Sequence, residues 1–250
     1  MKATESITEK YDVISTGLSD LDRILGIGGI ASKKIIECSG IWSVGKSTLA
    51  IQIVAQAQKE KKPCLWADAE FSWSNEYASK LGVDCNDLDL LQEQHAEAHL
   101  DGIEKWASEH KNGVIVIDAI GALLPKEEAE KSAEARVIGV QARLIGSFCR
   151  KIVPILALRN HTLLVLNHQF VDLMSGRLKT SGGAKLEHAR SVWLSMRKLK
   201  PFTGGVIIEV EVRKNKLAPT EKQKAELRME YGQGFTNTIA EQKKRGRPKK

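Results

Sequence analysis

The feature that most constrains the fold of this 250-residue chain is the loop "SGIWSVGKSTLA", residues 39–50, which follows an apolar run and opens a helical pattern. Gly40, Gly45, Lys46 and Ser47 fit the pattern G-x-x-x-x-G-K-[ST] at the required spacing. In this pattern the glycines let successive backbone N–H groups turn towards one anion, and the helix that follows adds its positive dipole end. The loop therefore predicts a nucleotide-phosphate site at a strand–loop–helix junction, which is typical of α/β proteins.

The loop and the start of its helix supply the predicted nucleotide-binding residues. Lys46 would reach the β- and γ-phosphates of ATP, and the Ser47 hydroxyl would ligate Mg²⁺. A second segment, "GVIVIDAIGALLP", ends a buried apolar strand with Asp118, whose carboxylate would complete the Mg²⁺ site. The predicted metal ligands are thus Ser47 and Asp118. The nucleotide-binding set is Gly40, Ile41, Trp42, Ser43, Val44, Gly45, Lys46, Ser47 and Thr48.

A third segment, "CLWADAEFSW", offers the carboxylate that a hydrolysing site needs. Asp68 and Glu70 lie two residues apart on or just after a strand, so we expect their side chains to project to the same side. A water molecule that attacks the γ-phosphate has to be oriented or deprotonated, and Ala119, directly after Asp118, cannot do this. Glu70 is therefore the candidate general base. The alternative is that both acids are solvated residues at a strand end.

Composition and charge narrow the class of protein. The 42% apolar content is ordinary for one globular domain. No apolar run reaches the roughly 18 residues that cross a bilayer, so we expect a soluble, cytoplasmic protein with no membrane partner. The formal charge is +7, but six positive side chains lie in the last eight residues, so the body is near neutral.

The cysteines lack the spacing of a zinc site or a disulfide framework and are expected to be reduced. They are Cys38, Cys64, Cys85 and Cys149.

Alternation of short apolar runs with longer periodic segments predicts a three-layer α/β fold around a mostly parallel sheet. Pro154 falls inside the longest helical pattern and should bend that helix or end it early. The predicted strands lie near residues 35–38, 63–67, 114–118, 162–167, 191–196 and 206–212. The predicted helices lie near residues 46–60, 74–81, 95–110, 137–158 and 183–189. We divide the chain into a short N-terminal segment, a core and a flexible basic tail, at residues 1–12, 13–236 and 237–250.

The order of these segments resembles that of the RecA-type recombinases over about residues 13–235. The resemblance is carried by "ISTGLSDLDRILGIGGI", the phosphate loop, "DAEFSWSNEYASKLGVD", "VIVIDAIGALLPKEE", "LLVLNHQF", "SGGAKLEHARSVWLSMRK", "VRKNKLAP" and "MEYGQGF". It implies a RecA-like P-loop NTPase fold and a DNA-dependent ATPase. Within the family, Asn167-His168 in "LNHQF" resembles the phage UvsX branch, so the protein would act in a bacterial host cell if it is encoded by a phage.

The resemblance assigns catalytic roles residue by residue. Glu70 matches the glutamate that activates water. Asn167 or His168 would sense the nucleotide state, and Gln169 is a rival for that role. The two lysines of "RKNK" resemble those that reach the ATP of a neighbouring subunit and act like arginine fingers, although a solvated edge strand would show the same spacing. The catalytic set is therefore Glu70, Lys46, Lys214 and Lys216.

The resemblance also implies two DNA-contacting loops, near residues 130–137 and 169–183. In the second loop we expect positive side chains on phosphates, Met174 and Leu178 as apolar wedges, and two glycines that allow close backbone approach. The alternative is a mobile surface segment. The first loop has nearly balanced charges, so its role stays open. The predicted DNA-binding residues are Arg177, Lys179, Gly182 and Gly183, with Arg245 and Arg247 in the tail.

Two departures from the family pattern bear on assembly. About a dozen residues precede "VISTG" in this sequence. We therefore expect the helix and strand through which RecA subunits link, and the folded C-terminal domain, to be absent. Such a minimal core resembles the short RecA-like annealing proteins of phages. We expect a homo-oligomer on single-stranded DNA, either a filament or a ring, and a single-strand-binding protein as a further partner.

Three functions remain open from the sequence. The leading one is an ATP-dependent recombinase that pairs homologous DNA. The second is an annealing protein with little strand exchange, and the third is a non-catalytic ATP-binding accessory or loader module. A helicase-like hexameric motor is disfavoured, because "KNKLAP" and the second loop match recombinases better.

The tail ends in "KKRGRPKK", residues 243–250. Its Arg-Gly-Arg-Pro core resembles the AT-hook, in which an extended chain lies in the narrow minor groove of A·T-rich duplex DNA. The alternatives are a solvated basic tail and, in a eukaryotic setting, a nuclear import signal.

Overall fold

The computed structural model describes residues 12–130, 139–172, 176 and 178–237, and within them a ten-stranded sheet forms the centre of the fold. Its strands are β3 (Lys34–Gly40), β4 (Cys64–Asp68), β5 (Asp89–Leu91), β6 (Val114–Asp118), β7 (Thr162–Val171), β8 (Leu178–Thr180), β9 (Val192–Phe202), β10 (Gly205–Asn215), β11 (Lys224–Glu230) and β12 (Gly234–Asn237), while β1 (Val13–Ile14) and β2 (Ile30–Ala31) form a separate pair. The spatial order of the sheet is β5-β4-β6-β7-β3-β9-β10-β11-β12, and β8 pairs with β7 beside this path.

The six strands from β5 to β9 pair in parallel, whereas β10, β11 and β12 extend the sheet in antiparallel fashion. The sequence of β6, "VIVID", is buried at all five positions. A continuous apolar run of this kind is typical of a parallel strand that is covered on both faces. The carboxyl ends of β3, β4, β6 and β7 meet at one edge of the sheet, where parallel α/β proteins hold their ligands.

Helices cover both faces of the sheet and create two apolar cores. The helices of the described residues are α1 (Ser19–Leu25), α2 (Lys46–Lys59), α3 (Asn75–Lys80), α4 (Ala96–Glu109), α5 (Lys126–Ala129), α6 (Val140–Arg159) and α7 (Gly183–Ala189). One core packs α1 and α2 against the sheet, and the other packs α4, α6 and α7 against the opposite face. The expected three-layer α/β architecture with a mostly parallel sheet is confirmed.

The structure contains elements that the sequence patterns did not reveal. The unexpected strands are β1, β2, β5, β8, β11 and β12, and the unexpected helices are α1 and α5. In β11, "KAELRME", buried and solvated positions alternate, so the strand has no apolar run. Such alternation is characteristic of antiparallel strands with one solvated face. Several predicted strands also continue further than expected, most clearly β7, which reaches Val171 instead of ending at residue 167.

Pro154 does not end α6, which continues to Arg159. Pro154 and Arg150 both lie on the exposed side of the helix. Because proline lacks an N–H, the carbonyl of Arg150 loses its helical partner, and water is available to it there. Among the described helices, none is long and apolar enough to cross a membrane. All four cysteines are free thiols.

Candidate nucleotide-binding site

The phosphate loop connects β3, which ends at Gly40, to α2, which begins at Lys46. Gly45 immediately precedes the helix in the left-handed region, with φ of 84°. A Cβ atom at this position would lie 2.5 Å from the sulfur of Met229 and 2.7 Å from the Phe235 ring. Glycine is therefore required both by the backbone angle and by the close approach of β11 and β12.

A cavity of about 370 Å³ opens at the loop, at the carboxyl edge of the sheet. It brings together residues that are far apart in the sequence and that belong to the loop, the turn after β4, the end of β6 and the middle of β7. The lining residues are Trp42, Ser43, Val44, Gly45, Lys46, Ser47, Thr48, Glu70, Asp118 and His168. The nucleotide set also includes Gly40 and Ile41, which do not line the cavity. Their backbone carbonyls accept hydrogen bonds from Lys46.

Lys46 is a buried cation, with only 7% of its surface exposed. Its Nζ atom donates to the carbonyl oxygens of Gly40 at 3.3 Å and Ile41 at 3.1 Å. Burial lowers the pKa of the Lys46 amine, and the neighbouring Glu70 and Asp118 partly oppose this effect. Two carbonyls are a weak match for a desolvated ammonium group, so a phosphate anion bound in the cavity would be strongly favoured.

Asp118 is 3% exposed at the end of β6. The pKa of its carboxyl group is raised to about 6, mainly by burial and also by the charges of Glu70 and Asp68, while a hydrogen bond from Ser47 and the charge of Lys46 act in the opposite direction. A buried carboxylate beside a hydroxyl is an incomplete set of oxygen ligands, which a divalent cation would complete. The two residues therefore fit a Mg²⁺ ion that also binds phosphate.

Glu70 lies in the turn that follows β4. This turn is attached to the neighbouring strand because the N–H groups of Ala69 and Glu70 donate to the Asp118 carbonyl at 2.8 and 3.2 Å. The carboxylate of Glu70 lines the cavity, and its Oε1 lies 2.9 Å from Nε2 of His168. Both side chains are partly exposed, at 35% and 43%, so a water molecule has access to them.

Asp68 does not share the direction of Glu70, so the expectation that both carboxylates project to the same side is wrong. Asp68 is fully buried and accepts hydrogen bonds from the backbone N–H of Ser72 and Trp73 and from the Gln92 amide. Its carboxylate stabilises the turn after β4. The period-2 rule fails here because β4 ends at Asp68 and the next residues turn away from the strand direction.

The three sensor candidates on β7 face two different sides of the sheet. His168 points into the cavity and lies opposite Gly40 in the parallel register. Asn167 instead donates to Glu37 at 3.1 Å and to the Ser181 carbonyl at 2.8 Å. Gln169 shares this second face, where its Nε2 lies 2.8 Å from the hydroxyl oxygens of both Ser39 and Ser195.

A second cavity of about 260 Å³ adjoins the first and shares Ser43, Gly45 and Thr48 with it. Tyr77 and Tyr231 both line it, and the Tyr77 hydroxyl lies 2.9 Å from the Thr48 hydroxyl. Aromatic faces next to a phosphate cradle provide a stacking surface for a nucleobase. Neither tyrosine was among the predicted nucleotide-binding residues. The aromatic–glycine turn "YGQG" is the one signal in the sequence, and no spacing rule relates it to residue 48.

Lys214 and Lys216 lie on β10 and just beyond it, away from the nucleotide cavity of their own chain. The Nζ atom of Lys214 donates to the Glu187 carbonyl at 2.6 Å, and that of Lys216 donates to the His188 carbonyl at 2.9 Å. These carbonyls belong to the last turn of α7, where positive charges are favourable. Burial lowers the pKa of the Lys214 amine.

The second predicted DNA loop is partly a hairpin rather than an irregular loop. The end of β7 pairs with β8 in antiparallel register, with Phe170 opposite Lys179. This pairing satisfies backbone groups that a loop would leave to water. Lys179 forms an ion pair with Asp172. Gly182 and Gly183 follow with φ of 99° and 72°. The other predicted DNA contacts, namely Met174, Arg177, residues 131–137, Arg245 and Arg247, lie outside the described residues.

A third cavity, of about 420 Å³, lies between α6 and α7 and is lined by positive side chains that the sequence analysis missed. Arg143 and Arg150 are seven positions apart on α6, so they share one helix face. Lys185 and the backbone of Gly183 complete the cavity from α7. In the sequence these arginines look like ordinary solvated helix charges; only the packing of α7 against α6 brings them to the end of the hairpin.

Comparison with known proteins gives a consistent result. The family model for the RecA N-terminal domain matches residues 1–236. The chain is 38% identical to the RecA protein of Thermus aquaticus over 244 residues, which covers 94% of this chain and 72% of that protein. The identity to RecA of Anaplasma marginale (strain Florida) is 35% over 94% and 68% of the two chains, and to RecA of Colwellia psychrerythraea 35% over 95% and 71%. The chain therefore belongs to the RecA family of ATP-dependent DNA recombinases.

Proposed function

We propose that this recombinase hydrolyses ATP with Mg²⁺ in the cavity around Lys46 while it is assembled on single-stranded DNA. The observation that carries the proposal is the convergence of Lys46, Asp118, Glu70 and His168 on one cavity at the carboxyl edge of the sheet. A phosphate cradle alone would support binding. A carboxylate that is accessible to water beside it supports hydrolysis as well.

Each residue has a distinct role in this proposal. The loop N–H groups and Lys46 bind the β- and γ-phosphates, and Ser47 and Asp118 hold the metal. Mg²⁺ bound there offsets the negative charge of the phosphates. Glu70 accepts a proton from the attacking water at a carboxylate oxygen. His168 donates from Nε2 to Glu70 Oε1 and so holds the carboxylate in the cavity. The base of the nucleotide stacks on Tyr77 and Tyr231 in the adjoining cavity.

The basic cavity between α6 and α7 is the proposed site for the phosphates of single-stranded DNA. Arg143, Arg150 and Lys185 supply charge, and Gly183 allows the backbone to approach closely. Lys179, on β8 of the hairpin, is a further contact, for which a phosphate would compete with Asp172. The tail, residues 237–250, would add a separate contact with A·T-rich duplex DNA.

Assembly completes the proposal. Lys214 and Lys216 would leave the carbonyls of α7 and reach the ATP of a neighbouring copy, in a filament or a ring assembled from the core, residues 13–236. A single-strand-binding protein remains a proposed partner. An annealing protein with little strand exchange and a non-catalytic accessory module are not favoured, because the matches are to recombinases along nearly the whole chain.

ATP turnover with and without single-stranded DNA tests this proposal. Wild type should hydrolyse ATP and be stimulated by the DNA, and Lys46→Ala should lose nucleotide binding and turnover because no other cation lines the cavity among the described residues. Arg143→Ala/Arg150→Ala should weaken DNA binding and reduce its salt dependence by roughly 1.4 units of slope. Lys151→Ala on the same helix, which pairs with Glu104, is the matched control. Turnover that DNA does not change in wild type would refute the proposal.

A further inference from the structure

The buried carboxylate of Glu37 connects β3, the strand before the phosphate loop, to the end of the β7–β8 hairpin. Because the proposed function places this hairpin of the protein in contact with DNA, it is called the DNA hairpin below. Glu37 lies on β3, three residues before Gly40, and is fully buried. Its Oε1 accepts a hydrogen bond from Asn167 Nδ2 at 3.1 Å, and its Oε2 accepts one from Arg190 Nη1 at 2.5 Å. Arg190 is also buried, at 4% exposed, and its guanidinium stacks 3.9 Å from the centre of the Trp193 ring.

Each partner of Glu37 holds one residue at the end of the hairpin. Asn167 Nδ2 donates to the Ser181 carbonyl at 2.8 Å. Arg190 Nη1 donates to the hydroxyl oxygen of Thr180 at 3.3 Å. Two parallel connections therefore run from the Glu37 carboxylate to adjacent residues, which lead directly into Gly182 and Gly183. The position of the glycine that lines the basic cavity thus depends on Glu37.

Asn167, which donates to the Glu37 carboxylate, also lies next to the nucleotide cavity in the sequence of β7. Asn167 directly precedes His168, which points to the opposite face of β7 and contacts Glu70. Asn167 is also paired with Ser39, the residue before Gly40, in the parallel register. A shift of the β7 backbone that accompanies a new contact of His168 would therefore move the Asn167 amide and, through it, the Ser181 carbonyl.

Two polar atoms of this network lack a hydrogen-bond partner among the described residues. Asn167 Oδ1 and Arg190 Nε are buried and make no hydrogen bond within the described part of the chain. Reversing the Asn167 amide would set its oxygen against the Glu37 and Ser181 oxygens, so the present orientation is the favourable one. Buried polar groups without partners are costly, and a network that contains two of them is poorly suited to a single fixed state.

We propose that Glu37 is a positioning residue: through Asn167 and Arg190 it sets the end of the DNA hairpin according to the nucleotide state sensed at His168. This inference rests on the proposed function, because it concerns the coupling between the same two sites. Glu37 touches neither ATP nor DNA in this proposal. Its effect should appear in the ratio of single-stranded DNA affinities measured with a slowly hydrolysed ATP analogue and with ADP.

The test uses Thr180→Val, which removes the hydroxyl that Arg190 contacts and keeps the shape of the side chain. Thr162→Val is the matched control, because Thr162 is also a buried threonine, at the far end of β7, and its hydroxyl donates to the Ala31 carbonyl at 3.1 Å. The double variant Glu37→Gln/Arg190→Met removes both charges together, since a lone Arg190 charge would endanger folding. The amide side chain introduced at position 37 in that variant still offers an oxygen to Asn167.

We expect Thr180→Val and the double variant to lower the ATP-to-ADP ratio of DNA affinity by about fivefold or more, with DNA-free ATP turnover within about twofold of wild type. Hydrogen exchange of residues 178–186 should rise in both variants and not in Thr162→Val, and this measurement needs no DNA. An unchanged ratio or unchanged exchange in folded Thr180→Val would overturn the inference, as would an equal effect of Thr162→Val. Wild type without nucleotide-dependent DNA affinity would instead overturn the proposed function, and the coupling with it.

Discussion

His168 Nε2 lies 2.9 Å from Glu70 Oε1, although the two residues are 98 positions apart. A carboxylate can only accept a hydrogen bond, so His168 is the donor. The contact joins the strand that leads to the DNA hairpin with the proposed general base. A bound γ-phosphate would compete for the His168 donor, and the position of Glu70 would then depend on the nucleotide. In the proposed function, the same pair of residues therefore links chemistry and sensing.

The first prediction concerns Glu70. Glu70→Gln keeps the shape and can still accept from His168, but it cannot take a proton from water. We expect ATP turnover to fall by roughly 10²-fold or more while nucleotide affinity stays within a few-fold of wild type. Steady-state kinetics and equilibrium nucleotide binding measure the two effects. Glu76→Gln is a suitable control, because Glu76 is an exposed acid paired with Lys80. Near-normal turnover in Glu70→Gln would assign the base to another residue.

The second prediction separates the sensor candidates. His168→Ala should lower DNA-stimulated turnover by about tenfold, because it removes the side chain that connects β7 with Glu70. Gln169→Ala removes contacts with Ser39 and Ser195 on the other face of the strand and should have a clearly smaller effect. Turnover is measured at saturating single-stranded DNA and compared with DNA-free turnover. A larger loss in Gln169→Ala than in His168→Ala would transfer the sensing role.

The third prediction concerns pH and Asp118. The pKa of its carboxyl group in the fold is about 6, above the ordinary value of 3.8, because burial disfavours the charged form. The stability that this group contributes is therefore present below pH 3.8 and lost as the pH rises through 6. At pH 8, nucleotide-free Asp118→Asn should be more stable than wild type by about 1–3 kcal/mol.

Denaturant titrations of both proteins, between about pH 4 and about pH 8, measure this difference in the free energy of unfolding on both sides of the shifted pKa. The advantage of Asp118→Asn should shrink towards the acid end of the series. ATP with Mg²⁺ should raise the melting temperature of wild type and have little effect on the variant, which lacks the proposed metal ligand. A variant that is less stable than wild type at every pH would contradict the assigned cause of the pKa shift.

The residues of the candidate nucleotide site could be proposed from the sequence because the physical requirements of a phosphate loop are local. Gly45, Lys46 and Ser47 act within one turn of chain, and Asp118 is marked by a buried strand that ends in a charge. The parallel half of the sheet was predictable for the same reason, since strands covered on both faces are continuous apolar runs. Spacing and hydrophobicity were sufficient for these features.

The remaining features depend on packing between distant segments. Tyr231 joins Tyr77 because β11 and β12 fold back over the phosphate loop, and Arg143 becomes part of a basic cavity because α7 packs beside α6. The direction of Asp68 depends on the hydrogen bonds of a turn. None of these relationships has a fixed sequence spacing. Alternating strands such as β11 and short helices such as α1 likewise carry weak local patterns.

The fourth prediction concerns the basic tail. Its six positive side chains lie outside the described residues and beyond the proposed core. Deletion of residues 242–250 should weaken duplex binding, reduce its salt slope by up to about five units, and leave DNA-independent ATP hydrolysis unchanged. An AT-hook additionally requires that wild type prefers A·T-rich over G·C-rich duplex at equal salt, and that deletion removes this preference. Equal binding to both duplexes would leave only a basic tail.

The last prediction tests whether the ATP site is shared between copies. Lys46→Ala subunits lack a working phosphate loop, and Lys214→Ala/Lys216→Ala subunits lack the lysines that would reach a neighbour. Each variant alone should be inactive. In a head-to-tail assembly mixed at equal ratio, about a quarter of the sites would pair an intact loop with intact lysines, so ATP turnover should recover to about that fraction of wild type. Lys214 and Lys216 bind carbonyls of α7 in the single chain, so rescue also requires their release. Co-assembly of the two variants is checked first by cross-linking or light scattering, and mixed assemblies that remain inactive would show that these lysines do not complete a neighbour's site.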